Sequence, residues 1–593
     1  MTLTPPRAAE IRPLGDHSAD WRMVMLAAMA LVAGTGGALG AWLLLKLIAI
    51  ATNLFWFGRL STANVLITDS PAGSLVVAIP VAGSLIVGLM ARFGSDKIRG
   101  HGIPEAIEAI LYGESRLSPK VAILKPISSA ISIGSGGPFG AEGPIIMTGG
   151  AIGSLFAQLF HLSAAERKTL LVAGAAAGMT AIFNTPLAAI LLAIEILLFE
   201  WKPRSLVPVL IAVLVAFAWR PLLIGSGPMF PTTAAAPGQI WALLAAGGIG
   251  VLTGFEAMLL STALYRIEDM FHRLPVHWMW WPAIGGVVVG LGGLIDAHVL
   301  GAGYASIQAL LDGALAIRVV VTLLLVKAVV WLAALGSGTS GGVLAPLLIL
   351  GGAVGCLVGH AFLPGGAGFW ALIGMAGILS GAMRAPMTGA LFAVELTGRF
   401  EALPLTIAGA GAAYAVSVLL MRRSILTEKI ARRGRHILQE YTVDPLDLIQ
   451  AGQLMTPDPA TLPGTMSIAD ALAFFSTEAT RRSYPVVDDE GRLLGLVSRT
   501  DALRWQIGDI GSGVTLAETV SDAAQPVAYP DSPSGVVADL IVESGIGRIP
   551  IVDPRTHRIL GILSRQDLLK ARTTSRRAES GRSRSITVPG YWR

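Results

Sequence analysis

The chain has 593 residues, of which 53% are apolar and only 14% charged, against about 25% charged in an ordinary soluble protein. Its net charge of +5 comes from basic residues that flank apolar segments, which speaks for a lipid bilayer and against a nucleic-acid partner. A single cysteine, Cys356, excludes an intrachain disulfide, and its place in an apolar run makes it a small core residue.

Residues 1–22 are polar and mixed in charge, unlike a cleavable signal peptide, and read as a cytoplasmic N-terminal segment. From Met23 to Met421 long apolar runs follow one another, and after Arg422 the chain reads like a soluble protein. Several are shorter than the roughly 20 residues needed to cross a bilayer, or are interrupted by Gly and Pro. The 70 glycines allow close helix packing and broken helices at membrane depth. The expectation for 23–430 is therefore an all-α polytopic membrane domain of tilted, broken and re-entrant helices. The basic cluster Arg422, Arg423, Lys429, Arg432, Arg433 and Arg435 marks its end as cytoplasmic by the positive-inside rule.

The membrane domain repeats itself. Lys125 recurs as Lys327, and Pro144, Gly149, Gly150, Ala151 and Gly153 recur as Pro346, Gly351, Gly352, Ala353 and Gly355. Pro186, Leu191, Ala193 and Glu195 recur as Pro386, Leu391, Ala393 and Glu395. Duplicated transport proteins commonly place substrate at the interface of their two halves, on broken-helix ends.

After a linker at 431–450 the sequence turns polar and repeats again. Ser-Tyr-Pro-Val-Val-Asp after Arg482 matches Arg-Ile-Pro-Ile-Val-Asp at Arg548, and Gly495 and Asp501 recur as Gly561 and Asp567. β-Branched runs with turn signals and a helix pattern make each unit a small α/β module, at 451–506 and 515–572. The basic tail, 573–593, has the composition of a disordered segment.

Three Gly-rich loops each lead through a proline into an apolar run: Gly100-His101-Gly102-Ile103-Pro104, Gly140-Ala141-Glu142-Gly143-Pro144 and Gly341-Gly342-Val343-Leu344-Ala345-Pro346. Proline suits the first helical position. The helix N-termini behind these loops offer unpaired N–H groups and a partial positive charge to an anion. Partial charges hold an ion that a full charge in low dielectric would trap.

These loops, in this order, with Lys125 placed 17 residues before Glu142, resemble the anion-site motifs of the CLC chloride-channel/transporter family. Phe183-Asn184-Thr185-Pro186-Leu187-Ala188 and Arg384-Ala385-Pro386-Met387-Thr388-Gly389 match further family patterns, and the matches span about 95–430. The resemblance implies two inverted repeats, a homodimer with one pore per subunit, and chloride held by backbone N–H groups near Glu142, Val343 and Leu344. For a chain of this bacterial type it implies the inner membrane, with the tail cytoplasmic. Glu142 matches the gating glutamate. A carboxylate there can occupy the anion site, or simply cap its helix.

The sequence departs from the family pattern at three places. His101 stands where many members have Ser and can donate an N–H, or point away. Leu426 stands where the family has an inner tyrosine, and leucine donates no hydrogen bond. Ile196 stands at the inner proton-transfer position, and isoleucine carries no proton. Passive conduction is the simplest consequence. A Cl⁻/H⁺ exchanger with a proton route that bypasses Ile196 is the alternative, and a preference for fluoride or nitrate is another. Glu195, mirrored by Glu395, reads as structural, and Glu200 is the other acid nearby.

The two tail units resemble CBS domains, which pair and often bind adenine nucleotides. That resemblance puts the ribose contact at Thr500-Asp501 and at Asp567, and the base near Tyr484, Pro485, Ile549 and Pro550. ATP, ADP or AMP would be the ligand; a nucleotide-free dimerisation module is the other reading. No metal cluster, nucleophile–base set or P-loop is visible, so an enzyme is not expected.

Overall fold

Proline and glycine set where the helices of this chain break. The computed structural model describes residues 21–573 apart from 72, 235, 236, 239, 365, 436–445, 447–448, 509–512 and 521–524. Nearly all of the N-terminal segment, most of the 431–450 linker and nearly all of the basic tail lie outside the described residues. Two units separate, His17–Glu440 and Tyr441–Arg593.

The first half of the membrane unit runs α1 (Trp21–Phe57), α2 (Ala78–Phe93), α3 (Ile103–Tyr112), α4 (Pro119–Gly134), α5 (Glu142–Gln158), α6 (Ala164–Phe183), α7 (Pro186–Leu192) and α8 (Pro203–Leu223). The second half repeats the order as α9 (Ile240–His272), α10 (Trp281–Ile295), α11 (Tyr304–Leu311), α12 (Ile317–Gly336), α13 (Leu344–Phe362), α14 (Ala367–Met383), α15 (Pro386–Thr397) and α16 (Leu403–Leu420). α17 (Ile425–Arg432) closes the unit. Among the described residues seven helices are long and apolar enough to cross a membrane. By contrast α3 and α11 have 10 and 8 residues, well short of the roughly 20 a crossing needs. The expected mixture of spanning and broken helices is what the chain forms.

The two halves are inverted repeats, and their equivalence extends to single contacts. α5 crosses α6 at Gly149 and Gly174, and α13 crosses α14 at Gly351 and Gly374. A methyl group at any of these four would collide with the carbonyl oxygen of its partner glycine. α6 and α14 both end on a left-handed residue, Asn184 (φ 60°) and Arg384 (φ 58°). Asparagine adopts this region readily; an arginine there is uncommon. The Arg384 guanidinium donates to the carbonyls of Ser417, Met421 and Arg422, so it closes the end of α16 as well.

The halves also cap each other. Glu395 at the end of α15 accepts from the N–H groups of Leu187 (3.0 Å) and Ala188 (2.8 Å) at the start of α7. Glu195, in the π-helical turn Ala193–Leu198 after α7, accepts from Met387 (3.2 Å) and Thr388 (2.9 Å) at the start of α15. Each carboxylate thus satisfies orphan donors of the opposite half. The structural role expected for Glu195 is explained by this exchange.

In the other unit β1 (Thr456–Pro457), β2 (Leu462–Pro463), β3 (Ser483–Val487), β4 (Leu493–Ser498), β5 (Arg548–Val552) and β6 (Ile559–Ser564) form two three-stranded sheets. β2 runs parallel to β3, and β3 pairs antiparallel with β4. β1 joins the other sheet, antiparallel to β6, and Ala451 donates to the Ser532 carbonyl at 2.8 Å. The residues that open the first module therefore pack into the core of the second.

Gly174→Ala would force α5 and α6 apart. Overpacking of this kind costs about 1–3 kcal/mol, so a lower unfolding temperature is expected for the detergent-solubilised protein in a thermal scan. The same scan on Gly247→Ala, where a methyl meets open space, serves as the control.

Candidate functional site

The three Gly-rich loops meet at one point. Gly100 bridges Ser340 in parallel and Gly140 bridges Gly342 antiparallel. Gly100 donates to the Thr339 carbonyl at 3.0 Å, and Gly140 and Gly342 exchange bonds of 3.3 and 2.9 Å. A methyl at Gly143 would collide with the His101 carbonyl oxygen, so the first two loops are also in contact. Helices α3, α5 and α13 leave this junction from Ile103, Glu142 and Leu344, with Pro104, Pro144 and Pro346 in their first turns. Ala141 and Val343 are the residues just before α5 and α13, and Ala345 lies in the first turn of α13.

A buried lysine fixes the first loop. Lys125 on α4 is fully buried and donates to the carbonyls of Ile98 (2.8 Å) and Gly100 (2.7 Å) and to Ser340 Oγ (3.1 Å). Ser128 and Ser129, one turn further along α4, also meet Ser340 Oγ, at 3.1 and 3.0 Å. A trans peptide points its C=O and N–H in opposite directions. With the Gly100 carbonyl turned to Lys125, the His101 N–H points the other way. In the second half Lys327 holds the carbonyls of Val299 (2.8 Å) and Gly301 (3.1 Å) in the same manner.

The Glu142 side chain is fully buried within the junction. A methyl at Gly140 would collide with its carboxylate, and one at Gly342 would lie 2.8 Å from its Oε2. The N–H groups of Glu142 and Ala345 act on the carboxylate, yet neither oxygen reaches full hydrogen-bond geometry. Leaving a buried carboxylate this poorly paired is costly.

Two cavities approach the junction. One, of about 520 Å³, is lined by Gly100, His101, Arg99, Tyr265, Lys429 and Arg433. The other, of about 720 Å³, is lined by Ala141, Tyr304, Arg220 and the second half of α1. The expected residue His101 is 2% exposed, and neither ring nitrogen has a hydrogen-bond partner. Leu426 is fully buried on α17, while the nearby Tyr265 hydroxyl is spent on the Ile425 carbonyl at 2.5 Å. Most basic residues at the smaller cavity are paired: Lys429 with Glu105 at 2.8 Å, Arg433 with Glu105 and Glu108, and Arg432 with Asp269; Arg99 instead lies over the Trp278 ring, 4.6 Å from its centroid.

No carboxylate stands at the expected proton-transfer position. Ile196 is fully buried. Both oxygens of Glu195 cap α15, and Glu200 is engaged by Lys168 (3.4 Å), Lys202 (3.6 Å) and Ser205 (2.8 Å).

Sequence reading missed Tyr304. It begins α11 after Gly301-Ala302-Gly303, the second-half equivalent of Gly100-His101-Gly102. That Gly-x-Gly echo was the available signal, obscured because Ala305 replaces the proline of the first half.

In the soluble unit Asp501 and Asp567 occupy equivalent places. Each accepts through Oδ2 from the N–H and hydroxyl of the serine that begins its helix, Ser498 (2.9 and 2.6 Å) and Ser564 (3.1 and 2.6 Å). Thr500 is exposed. Tyr484, expected near a nucleotide base, is 3% exposed, with its ring against Phe474 and Phe475 and its hydroxyl accepting from Arg481 N. Pro485, Ile549 and Pro550 are buried in β3 and β5. Among the described residues no His, Cys, Asp and Glu group could hold a metal ion.

Comparison with known proteins follows this geometry. The family model described as voltage gated chloride channel matches residues 82–418, and the CBS domain model matches 451–508 and 520–573. A putative chloride channel protein ClcB-like from Ralstonia nicotianae is 29% identical over 373 residues, covering 61% of this chain and 83% of that protein. The voltage-gated ClC-type chloride channel ClcB of Escherichia coli O81 is 31% identical over 367 residues, covering 60% and 87%. Among solved structures, a slow cyanobacterial Cl⁻/H⁺ antiporter superposes with a TM-score of 0.61 at 21% identity, over 70% of this chain and 99% of that one. A eukaryotic CLC transporter gives 0.59 at 19% identity over 92% and 98%. A CLC-type fluoride/proton antiporter gives 0.58 at 20% over 68% and 97%.

Lys125→Met removes three donors at once and leaves buried acceptors behind. Each such acceptor costs about 1–3 kcal/mol, so a clear fall in unfolding temperature is expected in a thermal scan, together with loss of anion transport in liposomes.

Proposed function

The chain belongs to the voltage-gated chloride channel family, whose members are membrane-embedded anion channels or transporters and not enzymes, and from that premise we propose that it is a passive chloride channel gated by Glu142, with one pore in each subunit of a homodimer. The observation that carries this reading is the Glu142 carboxylate lodged among three bridged loops, between two cavities. Gly100, His101, Gly102, Ile103 and Pro104 form one wall of the anion site. Gly140, Ala141, Glu142 and Gly143 form the second, and Gly342, Val343, Leu344 and Ala345 the third. Three helix ends supply partial positive charge where the ion rests. The ionised carboxylate competes with chloride for that place. Protonation, or displacement by chloride, frees it, so flux rises as pH falls.

Passive conduction is supported by the absence of a carboxylate at Ile196 and by the engagement of Glu195 and Glu200. The proton-coupled reading has its own support, since two of the structurally similar proteins are antiporters. It needs a proton route that bypasses Ile196. His101, Leu344 and Leu426 are atypical for a chloride site, so relative permeability to fluoride and nitrate under bi-ionic conditions is informative for either reading.

The basic residues of 422–435 support a cytoplasmic position for that end and for the CBS pair. The ClcB relatives support the bacterial inner membrane. The CBS pair takes an adenine nucleotide in this account. Asp501 keeps Oδ1 out of the Ser498 cap, which uses Oδ2 alone, and Oδ1 faces only the Arg504 guanidinium at 3.8 Å, so it can turn to a ribose hydroxyl.

Two outcomes are expected. In liposomes Glu142→Gln or Glu142→Ala raises chloride flux and removes its pH dependence; unaltered flux from a folded variant contradicts the gate. In calorimetry with ATP, ADP and AMP, Asp501→Ala weakens binding by about tenfold, the size of one charge-assisted hydrogen bond.

A further inference from the structure

The larger cavity contains a cation that the gate does not use. Arg220 on the last turn of α8 is 5% exposed. Its Nη1 donates to the Gly225 carbonyl and so closes the turn after the helix, but its Nε has no hydrogen-bond partner. Among the described residues no carboxylate pairs with it or acts on it. An arginine in a membrane domain is costly unless it faces a partner or a water-filled cavity, and such residues mark ion pathways. Arg220 faces a cavity of about 720 Å³ that reaches Tyr304 and Ala141, next to Glu142.

At that end of the cavity stands a second donor. The Tyr304 oxygen accepts from the Ala141 N–H at 3.4 Å, which leaves its own hydrogen free to donate. The ring lies against Phe230, with centroids 5.8 Å apart, and Tyr304 directly follows the loop that Lys327 grips. Leu426, buried on α17, offers no donor of its own.

We infer that this cavity is an anion antechamber, in which Arg220 captures chloride from the outer solution and the Tyr304 hydroxyl receives it beside Ala141. A fixed charge in a low-dielectric cleft raises the local concentration of the opposite ion. Placed at a distance from the gate, it does so without trapping the ion in the pore. The inference rests on the chloride reading above, which puts α17 on the cytoplasmic side; α17 residues line the smaller cavity and not this one, which leaves this one to the outer face.

The test is uptake of radiolabelled chloride by right-side-out membrane vesicles as external chloride is varied. Half-saturating chloride should rise about tenfold for Arg220→Gln and about threefold for Tyr304→Phe, the loss of a charge-assisted and of a neutral hydrogen bond. Arg220→Lys, which keeps the charge, should stay within about twofold. In inside-out vesicles, where chloride meets the opposite face, the shifts should be much smaller. Unchanged half-saturation in both Arg220→Gln and Tyr304→Phe, or equal shifts at both faces, overturns the antechamber. Should Arg220→Gln fail to fold, Tyr304→Phe decides by the same comparison of faces. Wild-type vesicles that take up no chloride overturn the chloride reading itself; saturable wild-type uptake with unshifted variants overturns this inference alone.

Discussion

A buried ammonium group needs acceptors for all three of its hydrogens, and that demand organises the membrane unit. Lys125 draws the carbonyls of Ile98 and Gly100, at the start of the first loop, and Ser340, just before the third, onto itself. The Gly100–His101 peptide plane then turns the His101 N–H away from the lysine. The positive charge stays behind the loop, so an anion held in front of it would meet dipoles in its place. Lys327 repeats the arrangement in the second half, where the loop leads to Tyr304. One chemical device thus shapes equivalent loops in the two halves.

The second constraint is the exchange of carboxylates between halves. Glu195 and Glu395 each close a helix start in the other repeat. This cross-capping ties the two halves together, and it commits Glu195 to structure. With Ile196 beside it and Glu200 held by Lys168 and Lys202, no acid in that stretch is left to pass protons. The fold's own bonding thereby bears on whether anion movement is coupled to anything else.

Much of this was legible in the sequence, because the features that build the site are local. A Gly-rich loop followed by proline announces a helix start, and the offsets of 202 and 200 that relate Lys125 to Lys327 and Glu195 to Glu395 are visible without a structure. What stayed hidden depends on tertiary direction. Arg220 is a lone cation at the end of an apolar run, and nothing in its neighbours says that it faces a cavity. Tyr304 follows a Gly-x-Gly that lacks the proline of its counterpart. Tyr484, read as a nucleotide contact, turns its ring into the core instead. The pairing of β1 with β6 rests on two residues, too few to leave a pattern.

The central claim is an anion path gated by Glu142 and uncoupled from protons. It is tested most directly by recording chloride and proton movement together from purified protein in liposomes under a chloride gradient. The account predicts chloride efflux with no proton movement against its own gradient. Protons driven uphill by chloride would contradict it, and would require a proton route that Ile196 does not block.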